Sequence, residues 1–257
     1  MSLAITVICP EGIVQAADSR VTLIHPVSET LITNNTFDNA KKLLVFKEPH
    51  THVSVTTYGS GTINGRTIHG YNTEFASTLP DKRIPVKEFA ERFQKFFKQR
   101  WDKAEHDDTD NISFQVAGID EDKNYGELYS ITLPTNKPPV LTLKEGDFNF
   151  MWGGDIFIVS RIVSGVDPTL PALIENENFP VDVKEKIDSI IENVSPSNFP
   201  IHSYALQDAV TLARFLIATS INAQELSIGL RTIGGNIDIC TITQENGCGY
   251  ISNKEVK

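Results

Sequence analysis

The chain opens with two short apolar runs separated by turn residues. Residues 2–9 (SLAITVIC) and 13–18 (IVQAAD) are rich in β-branched and small apolar side chains, and Pro10-Glu11-Gly12 lies between them. Runs of this length bounded by turn residues are typical of β-strands. The pattern therefore predicts a hairpin that starts at once, with Ser2 on the first residue of its first strand.

Further apolar runs of strand length occur along the rest of the chain. They are LLVF at 43–46, HVSVTTY at 52–58, the hairpin NISFQVAGI and YGELYSITL around the turn 120–124, VLTL at 140–143, FNFMW at 148–152, GNIDICTIT at 235–243 and GYIS at 249–252. Residues 21–40 are polar and rich in Asn and Thr, and we expect a long loop or a loose hairpin there.

Four other segments are predicted to be helices. Apolar side chains recur at intervals of three and four residues in three of them, which are 85–104, 181–194 and 203–221. The fourth is predicted from Asp155, as its cap, to about Ser164, with Gly165 ending it. The aromatic side chains between positions 89 and 101 are expected to lie in the core or against a neighbouring subunit.

The order of these elements is strands, helix, strands, helices, strands. The regular alternation of strand and helix that is typical of parallel sheets does not occur, and the order instead suits antiparallel sheets covered by helices. The sequence therefore predicts an α+β architecture. Because no linker or internal repeat is recognisable, we expect residues 1–257 to form a single domain.

The composition indicates the broad class of protein to which the chain belongs. The formal net charge is −10, from 23 basic and 33 acidic residues, and nucleic acids and anionic membranes repel an acidic chain. The three cysteines, Cys9, Cys240 and Cys248, are widely spaced, as in reduced cytosolic proteins. No signal peptide or membrane-spanning segment is recognised. We expect a cytoplasmic protein with no nucleic-acid or membrane partner.

Two clusters contain residue types that bind metals. His50 and His52 share one face of a predicted strand, but the sequence offers no third ligand beside them. The run 107–111 is acidic but lacks the glycine and the distal glutamate of a calcium loop. We therefore predict no metal and no cofactor.

Ser2 offers an unusual combination of chemical groups. Removal of Met1, the ordinary expectation when a small residue follows it, would leave a hydroxyl and a free amine on Ser2. An α-amino group has an unperturbed pKa of roughly 7.7–8, so it can act as the base for the hydroxyl of its own residue. A nearby cation would lower the pKa of this amine further, and an acid could hold that cation in place.

Several stretches resemble the proteasome β-subunit family of N-terminal-nucleophile hydrolases. They are SLAITVICPEGIVQAADSR, AKKLLVF, VTTYGSG, VAGIDEDKNYGELYSI and TIGGNIDICTI. Their order and spacing cover most of the chain and are similar to those of bacterial relatives of the HslV and Anbu types. The resemblance implies a four-layer αββα sandwich of antiparallel sheets, with the nucleophile at the open end of the sheets.

The same resemblance assigns catalytic roles. Counted back from Asp18, the catalytic threonine of the family falls on Ser2, so a threonine-type mechanism would here use serine, which lacks the methyl group that restricts χ1. The catalytic lysine falls on Lys42, oriented by Asp18, and the amide of the oxyanion hole falls on Gly59. Gly234-Gly235 is interpreted as a bulge or a point of close packing.

The chain departs from the family pattern at three places. Arg20 and Lys42 are 22 residues apart, more than is typical of the family, which makes Lys41 a rival for the lysine role. The supporting serine of the family falls near 152–155, where no serine stands, and its supporting aspartate falls near Leu230-Arg231. These changes bear on activity more than on fold.

Two functional hypotheses follow. In the first, the chain is an N-terminal-serine peptidase or amidohydrolase that cleaves peptide bonds of peptide or protein substrates through an acyl-enzyme ester, within a ring or related homo-oligomer. In the second, it is a catalytically inert proteasome-like structural or binding subunit. An acylase that acts on small amides is also compatible with the sequence. No ATPase or regulatory partner can be named.

Overall fold

The computed structural model describes residues 2–26, 32–107, 110–177, 179–194 and 198–252. Met1, whose removal is predicted above, and residues 27–31 of the predicted loose hairpin lie outside the described residues. The described residues form two five-stranded and two two-stranded antiparallel sheets with several helices.

The strands are short and pair mainly with neighbours in sequence. Their bounds are β1 (Leu3–Cys9), β2 (Gly12–Ala17), β3 (Val21–Pro26), β4 (Ile32–Phe37), β5 (Leu43–Val45), β6 (Val53–Gly59), β7 (Thr62–Ile63), β8 (Arg66–Thr67), β9 (Ile112–Gly118), β10 (Glu127–Leu133), β11 (Val140–Leu143), β12 (Asn149–Gly154), β13 (Asp238–Thr243) and β14 (Gly247–Ser252). One sheet has the order β12-β1-β2-β13-β14, and the other has the order β11-β10-β9-β6-β5.

The helices lie mostly in the second half of the chain. They are α1 (Asn72–Ala76), α2 (Val86–Trp101), α3 (Phe157–Ser164), α4 (Leu170–Asn176), α5 (Val181–Val194) and α6 (Leu206–Leu226). Short 3₁₀ turns cover His69–Tyr71 and Ile201–Ser203. None of the helices in the described part of the chain has both the length and the apolar character needed to cross a bilayer.

Two antiparallel hairpins bring the candidate site residues to one end of the sheets. β1 pairs with β2 from Ala4 opposite Ala17 to Cys9 opposite Gly12, so the start of β1 and the end of β2 lie side by side. β5 pairs with β6 starting from Leu43 opposite Thr56, so the start of β5 lies beside the end of β6 in the other sheet. Positions 2, 18, 42 and 59 flank these four strand ends.

Buried apolar side chains form three clusters. One lies between α6 and the first sheet and includes Leu3, Ile5, Val7, Val14, Ala16, Leu212, Leu216 and Ile217. A second lies between α2 and the other sheet and includes Phe89, Phe93, Phe97, Phe114, Val116 and Ile131. The third contains residues of both sheets, including Ile8, Ile13, Ala117, Leu128 and Ile242. The third cluster thus brings apolar side chains of the two sheets into contact.

The aromatic stripe of α2 belongs to the core of the chain itself. Phe89, Phe93 and Phe97 have no exposed surface, and the Phe93 and Phe114 rings meet edge to face with centroids 5.0 Å apart. The core alternative predicted for this stripe is thus confirmed, and its burial does not require a second subunit.

Most predicted elements are present, and the structure adds to the prediction or departs from it in several places. Asp155 does not cap α3, whose N-terminal flanking residue is Ile156, although Gly165 ends that helix in the left-handed conformation as predicted. Of the two alternatives predicted for residues 21–40, a long loop or a loose hairpin, the structure shows a hairpin in which β3 pairs with β4. The short helix α4 was not predicted, because its seven residues are too few to establish a helical period.

Candidate active site

Ser2 lies directly before β1 and lines a cleft at the ends of the strands. Side chains alternate along a strand, and Leu3 and Ile5 face α6 while Ile8 faces the other sheet. Ser2 therefore belongs to the face that looks toward the second sheet. It is 5% exposed and lines a cleft of about 430 Å³. Its hydroxyl makes no hydrogen bond to any residue that the structure describes.

Asp18 is fully buried at the end of β2 and accepts four hydrogen bonds. Its Oδ1 accepts from the Leu3 amide at 2.9 Å and from Lys42 Nζ at 2.8 Å. Its Oδ2 accepts from the amides of Arg20 at 3.1 Å and Gly234 at 3.0 Å. Asp18 thus joins the residue after Ser2 to the buried lysine.

Lys42, and not Lys41, pairs with Asp18. Lys42 is 5% exposed, and its Nζ also donates to the carbonyl oxygen of Arg20. Burial lowers the pKa of Lys42, while the neighbouring Asp18 carboxylate opposes that effect. The extra residues between Arg20 and Lys42 are accommodated by the β3–β4 hairpin, so the longer spacing does not displace Lys42.

Lys41 lines a small recess beside Ser2. The recess, of about 20 Å³, is also lined by Thr57 and Gly59. The positive charge of Lys41 helps to lower the pKa of His69, although burial is the larger cause. Lys41 forms no ion pair with any described residue.

The Gly59 amide points to the side of β6 on which the Lys42 segment lies. Gly59 is opposite Ile112, and the Ser60 amide donates to the Asn111 carbonyl at 2.8 Å, which makes Gly59 and Ile112 a non-hydrogen-bonded pair. The Gly59 N–H therefore faces away from β9. Gly59 has φ +94°, and a Cβ would lie 2.6 Å from the Asn111 carbonyl oxygen, so only glycine fits.

The end of β12 fixes the backbone of Ser2. The Asp155 amide donates to the Ser2 carbonyl at 2.7 Å, and Gly154, with φ +100°, packs so closely that a Cβ would overlap that carbonyl oxygen. The ring of Tyr58 covers Gly153 in the same way. Near 152–155, where the sequence lacks the supporting serine of the resemblance, backbone contacts thus hold Ser2 in place.

Asp155 is buried and held by two polar side chains. Its Oδ2 accepts from Gln224 Nε2 at 2.6 Å and from Thr232 Oγ1 at 2.7 Å. The Gln224 Oε1 in turn accepts from the amides of Thr232 at 2.8 Å and Ile233 at 3.1 Å. Because the next amide, that of Gly234, donates to Asp18, this network connects Asp155 to the buried acid of the site.

Gly234-Gly235 is a point of close packing, as predicted. A Cβ on Gly234 would overlap the guanidinium of Arg20, and Gly235 has φ +72° against the hydroxyl of Ser19. Arg20 forms a bidentate ion pair with Asp38 at 2.7 and 2.8 Å, which raises its pKa. This pair anchors the segment between Asp18 and Lys42.

Sequence reasoning did not identify Asp38, Asp155 and Gln224 as part of this region. Asp38 and Gln224 are far in sequence from their partners, and no motif connects them. Asp155 had a simpler local interpretation as a helix cap. Buried carboxylates rarely lack a partner, but the partner is visible only in three dimensions.

A comparison with models of known protein families finds no match, and no curated protein sequence matches the chain. Solved structures of Anbu proteins do match its fold. A mutant Anbu from Hyphomicrobium sp. strain MC1 is similar over 100% of this chain and 89% of its own, with a TM-score of 0.57 and 13% identity. Anbu (ancestral beta-subunit) from Yersinia bercovieri is similar over 99% and 88%, with a TM-score of 0.53 and 12% identity. The predicted resemblance to the proteasome β-subunit family is thus confirmed for the fold.

Proposed function

We propose that this chain is a proteasome-like hydrolase that cleaves amide bonds with Ser2 as an N-terminal nucleophile. The observation that carries the proposal is the Lys42–Asp18 pair, buried at the same strand ends that place Ser2 in an open cleft. Burial of a lysine costs desolvation free energy that a single ion pair often does not fully repay, and buried ionisable groups with perturbed pKa values concentrate at functional sites.

In the proposed mechanism, Ser2 Oγ forms a bond to the substrate carbonyl carbon, and the Ser2 amine takes the hydroxyl proton, directly or through a water molecule. Protonated Lys42 lowers the pKa of that amine and stabilises negative charge on Oγ, while Asp18 orients Lys42. The proton then passes to the leaving nitrogen as the carbon–nitrogen bond breaks. Water hydrolyses the resulting ester.

The Gly59 amide is the proposed donor to the oxyanion of the tetrahedral intermediate. Its N–H faces away from β9, toward the side of β6 on which the Lys42 segment lies, and Gly59 lines the same cleft as Ser2. Loss of one such donor in other hydrolases costs about 2.7–4 kcal/mol of transition-state stabilisation.

The three apolar clusters support a four-layer αββα sandwich as the scaffold of this site. The same proposal includes a single domain, a cytoplasmic location and assembly into a ring or related homo-oligomer. Sedimentation of the purified chain at several concentrations tests the assembly, and a monomer at all concentrations would contradict it.

The experiment that tests the function is intact mass spectrometry before and after incubation with an electrophile that reacts with a hydroxyl–amine pair. We expect loss of Met1 and a single adduct that peptide mapping assigns to Ser2. Ser2→Ala should lose the adduct. Ser60→Ala, which removes another hydroxyl from the same cleft, should keep it.

Two results would contradict the proposed activity. Retention of Met1 would leave the amine on another residue, and loss of Met1 without an adduct would indicate an inert site. Either result favours the alternative of a structural or binding subunit, for which the absence of the family's supporting serine is the main argument. If Ser2 is labelled, fluorogenic peptides and small acyl-amides will distinguish a peptidase from an acylase.

A further inference from the structure

The cleft in front of Ser2 has two charged residues in its lining, Arg20 and Asp110. The rest of the lining is formed by neutral residues of three segments, Val21–Leu23, Tyr58–Thr62 and Asn111, together with Ser2 and Gly154. These two charges therefore determine which charged groups the cleft can receive.

The charge of Arg20 is already compensated. Its guanidinium donates to both carboxylate oxygens of Asp38 and to the carbonyl of Ile233 at 3.2 Å. The side chain of Arg20 is 11% exposed. An incoming anion would have to compete with a bidentate carboxylate, so Arg20 contributes little attraction for substrate anions.

The charge of Asp110 is not compensated by any residue that the structure describes. Asp110 is half-buried, and its carboxylate has two contacts, a long one of 3.5 Å from Ser60 Oγ and one of 3.2 Å from the Asp107 amide. Neither donor is a cation. The cleft thus offers a carboxylate of reduced solvent exposure to whatever binds beside Ser2.

A second cavity continues from the cleft at Asp110. It has a volume of about 450 Å³ and shares Ser60, Gly61, Thr62 and Asp110 with the cleft. Glu105 and His106 also line it, and the His106 ring packs on Trp101. A side chain that passes Asp110 would therefore meet a further carboxylate, that of Glu105, and His106 is the one basic residue among the described residues that line this cavity.

The position of Asp110 relates it to the proposed reaction. The Ser60 amide donates to the Asn111 carbonyl, so Asp110 lies beside Ser60-Gly61, about two residues or roughly 7 Å of extended chain beyond Gly59. Asp110 therefore lies within reach of a substrate side chain close to the bond that Ser2 would attack.

We propose that Asp110 selects peptide or amide substrates that carry a lysine or arginine side chain within two residues of the scissile bond. The inference rests on the proposed function, since it assigns a substrate class to the same cleft. Asp110 is the specificity-determining carboxylate, and the second cavity receives the basic side chain.

The test measures binding without chemistry, on the full chain carrying Ser2→Ala. The probes are fluorescent alanine-based heptapeptides with blocked ends, each with one arginine at a successive position, and twins in which uncharged citrulline replaces the arginine. At pH 8 and low salt, we expect the arginine peptide to bind about fivefold more tightly than its twin for at least one position. Higher salt should reduce that ratio.

Two variants complete the test. Asp110→Asn should bring the arginine-to-citrulline ratio to about one without changing citrulline binding. Asp188→Asn makes the same charge change on α5, which lines neither cavity, and should leave the ratio unchanged. The inference is overturned if no position prefers arginine, if no peptide binds, or if the preference survives Asp110→Asn. Because the Ser2→Ala chain has no nucleophile, this result is independent of whether Ser2 forms an adduct.

Discussion

The two adjacent lysines 41 and 42 have different environments, and these favour Lys42 as the candidate site residue. The side chains of Lys42 and Asp18 are 6% and 0% exposed, whereas Lys41 lines an open recess and has no ion-pair partner in the described part of the chain. Removing one member of a buried pair leaves an isolated charge in a dry environment, which is costly.

We predict that Lys42→Ala lowers the free energy of unfolding by about 3–5 kcal/mol, because Asp18 remains buried without its cation. Lys41→Ala should change it by less than about 1 kcal/mol. Urea denaturation followed by circular dichroism measures both values. The double variant Asp18→Asn with Lys42→Met should recover part of the loss, since no uncompensated charge remains. Equal effects of the two single variants would contradict this assignment.

At the scale of single residues, the sequence identified the candidate residues of the site but not the residues that form hydrogen bonds with them. Ser2, Asp18, Lys42 and Gly59 could be predicted because motifs near strand ends carry them. Lys41 remained a rival for the pairing of Lys42 with Asp18, because the choice depends on how the β3–β4 hairpin accommodates the additional residues between Arg20 and Lys42.

Among the elements, the end of β12 controls where β1 begins. Leu3 pairs with Gly154, and the Asp155 amide continues the ladder to the Ser2 carbonyl. Gly154 is required there for two reasons, its positive φ and its contact with the Ser2 carbonyl oxygen. Gly146 has a similar φ of +86° but no heavy atom within 4 Å of an added Cβ. A substitution there therefore tests the backbone strain without the steric overlap.

Gly154→Ala should therefore be more damaging than Gly146→Ala. Gly146→Ala should lower the free energy of unfolding by about 1–2 kcal/mol, which is the strain of a left-handed residue with a Cβ. Gly154→Ala adds a steric overlap that must displace β12 or Ser2. For this variant we therefore expect a larger decrease in melting temperature and at least tenfold slower labelling of Ser2. Differential scanning calorimetry and timed mass spectrometry measure these quantities. Similar melting temperatures and labelling rates for the two variants would disprove a role for this contact.

The strength of the local pattern determined which elements could be predicted. α2 and α5 were predicted within a few residues because each has several turns of apolar period. The two-residue strands β7 and β8 have no period to detect, and they form because Thr62–Ile63 and Arg66–Thr67 flank a tight turn with Asn64 and Gly65 at positive φ. The pairing order of the strands depends on long-range contacts, which no local pattern contains.

At the scale of the whole molecule, two buried histidines connect the sheet to the segment before α2. The Nε2 atoms of His50 and His52 lie 2.9 Å from the carbonyl oxygens of Pro80 and Ile84, so they carry the ring protons. Both Nδ1 atoms are buried and have no hydrogen-bond partner among the described residues. Protonation of Nδ1 would thus bury an N–H group without an acceptor.

Burial lowers the pKa of His52, and the positive charge of Arg83 and the neighbouring His50 lower it further. The Ile84 carbonyl and Asp120 act in the opposite direction. In the unfolded chain His52 should titrate near its ordinary pKa of roughly 6.5. At pH values between this unfolded pKa and the lower folded pKa, His52 is protonated in the unfolded chain but neutral in the folded protein. The stability that neutral His52 confers is therefore complete above about pH 6.5 and is lost as the pH falls below it.

We predict that the free energy of unfolding falls between pH 7 and pH 5 by up to about 1.4 kcal/mol per pH unit for this group. His52→Gln, which keeps a donor for the Ile84 carbonyl but cannot titrate, should reduce the slope. The remaining slope would come partly from His69, whose pKa burial also lowers. The exposed His202 provides the control, and His202→Gln should leave the slope unchanged. Urea denaturation at half-unit pH steps measures all three curves, and parallel curves for the wild type and His52→Gln would show that His52 is not the group that senses acid.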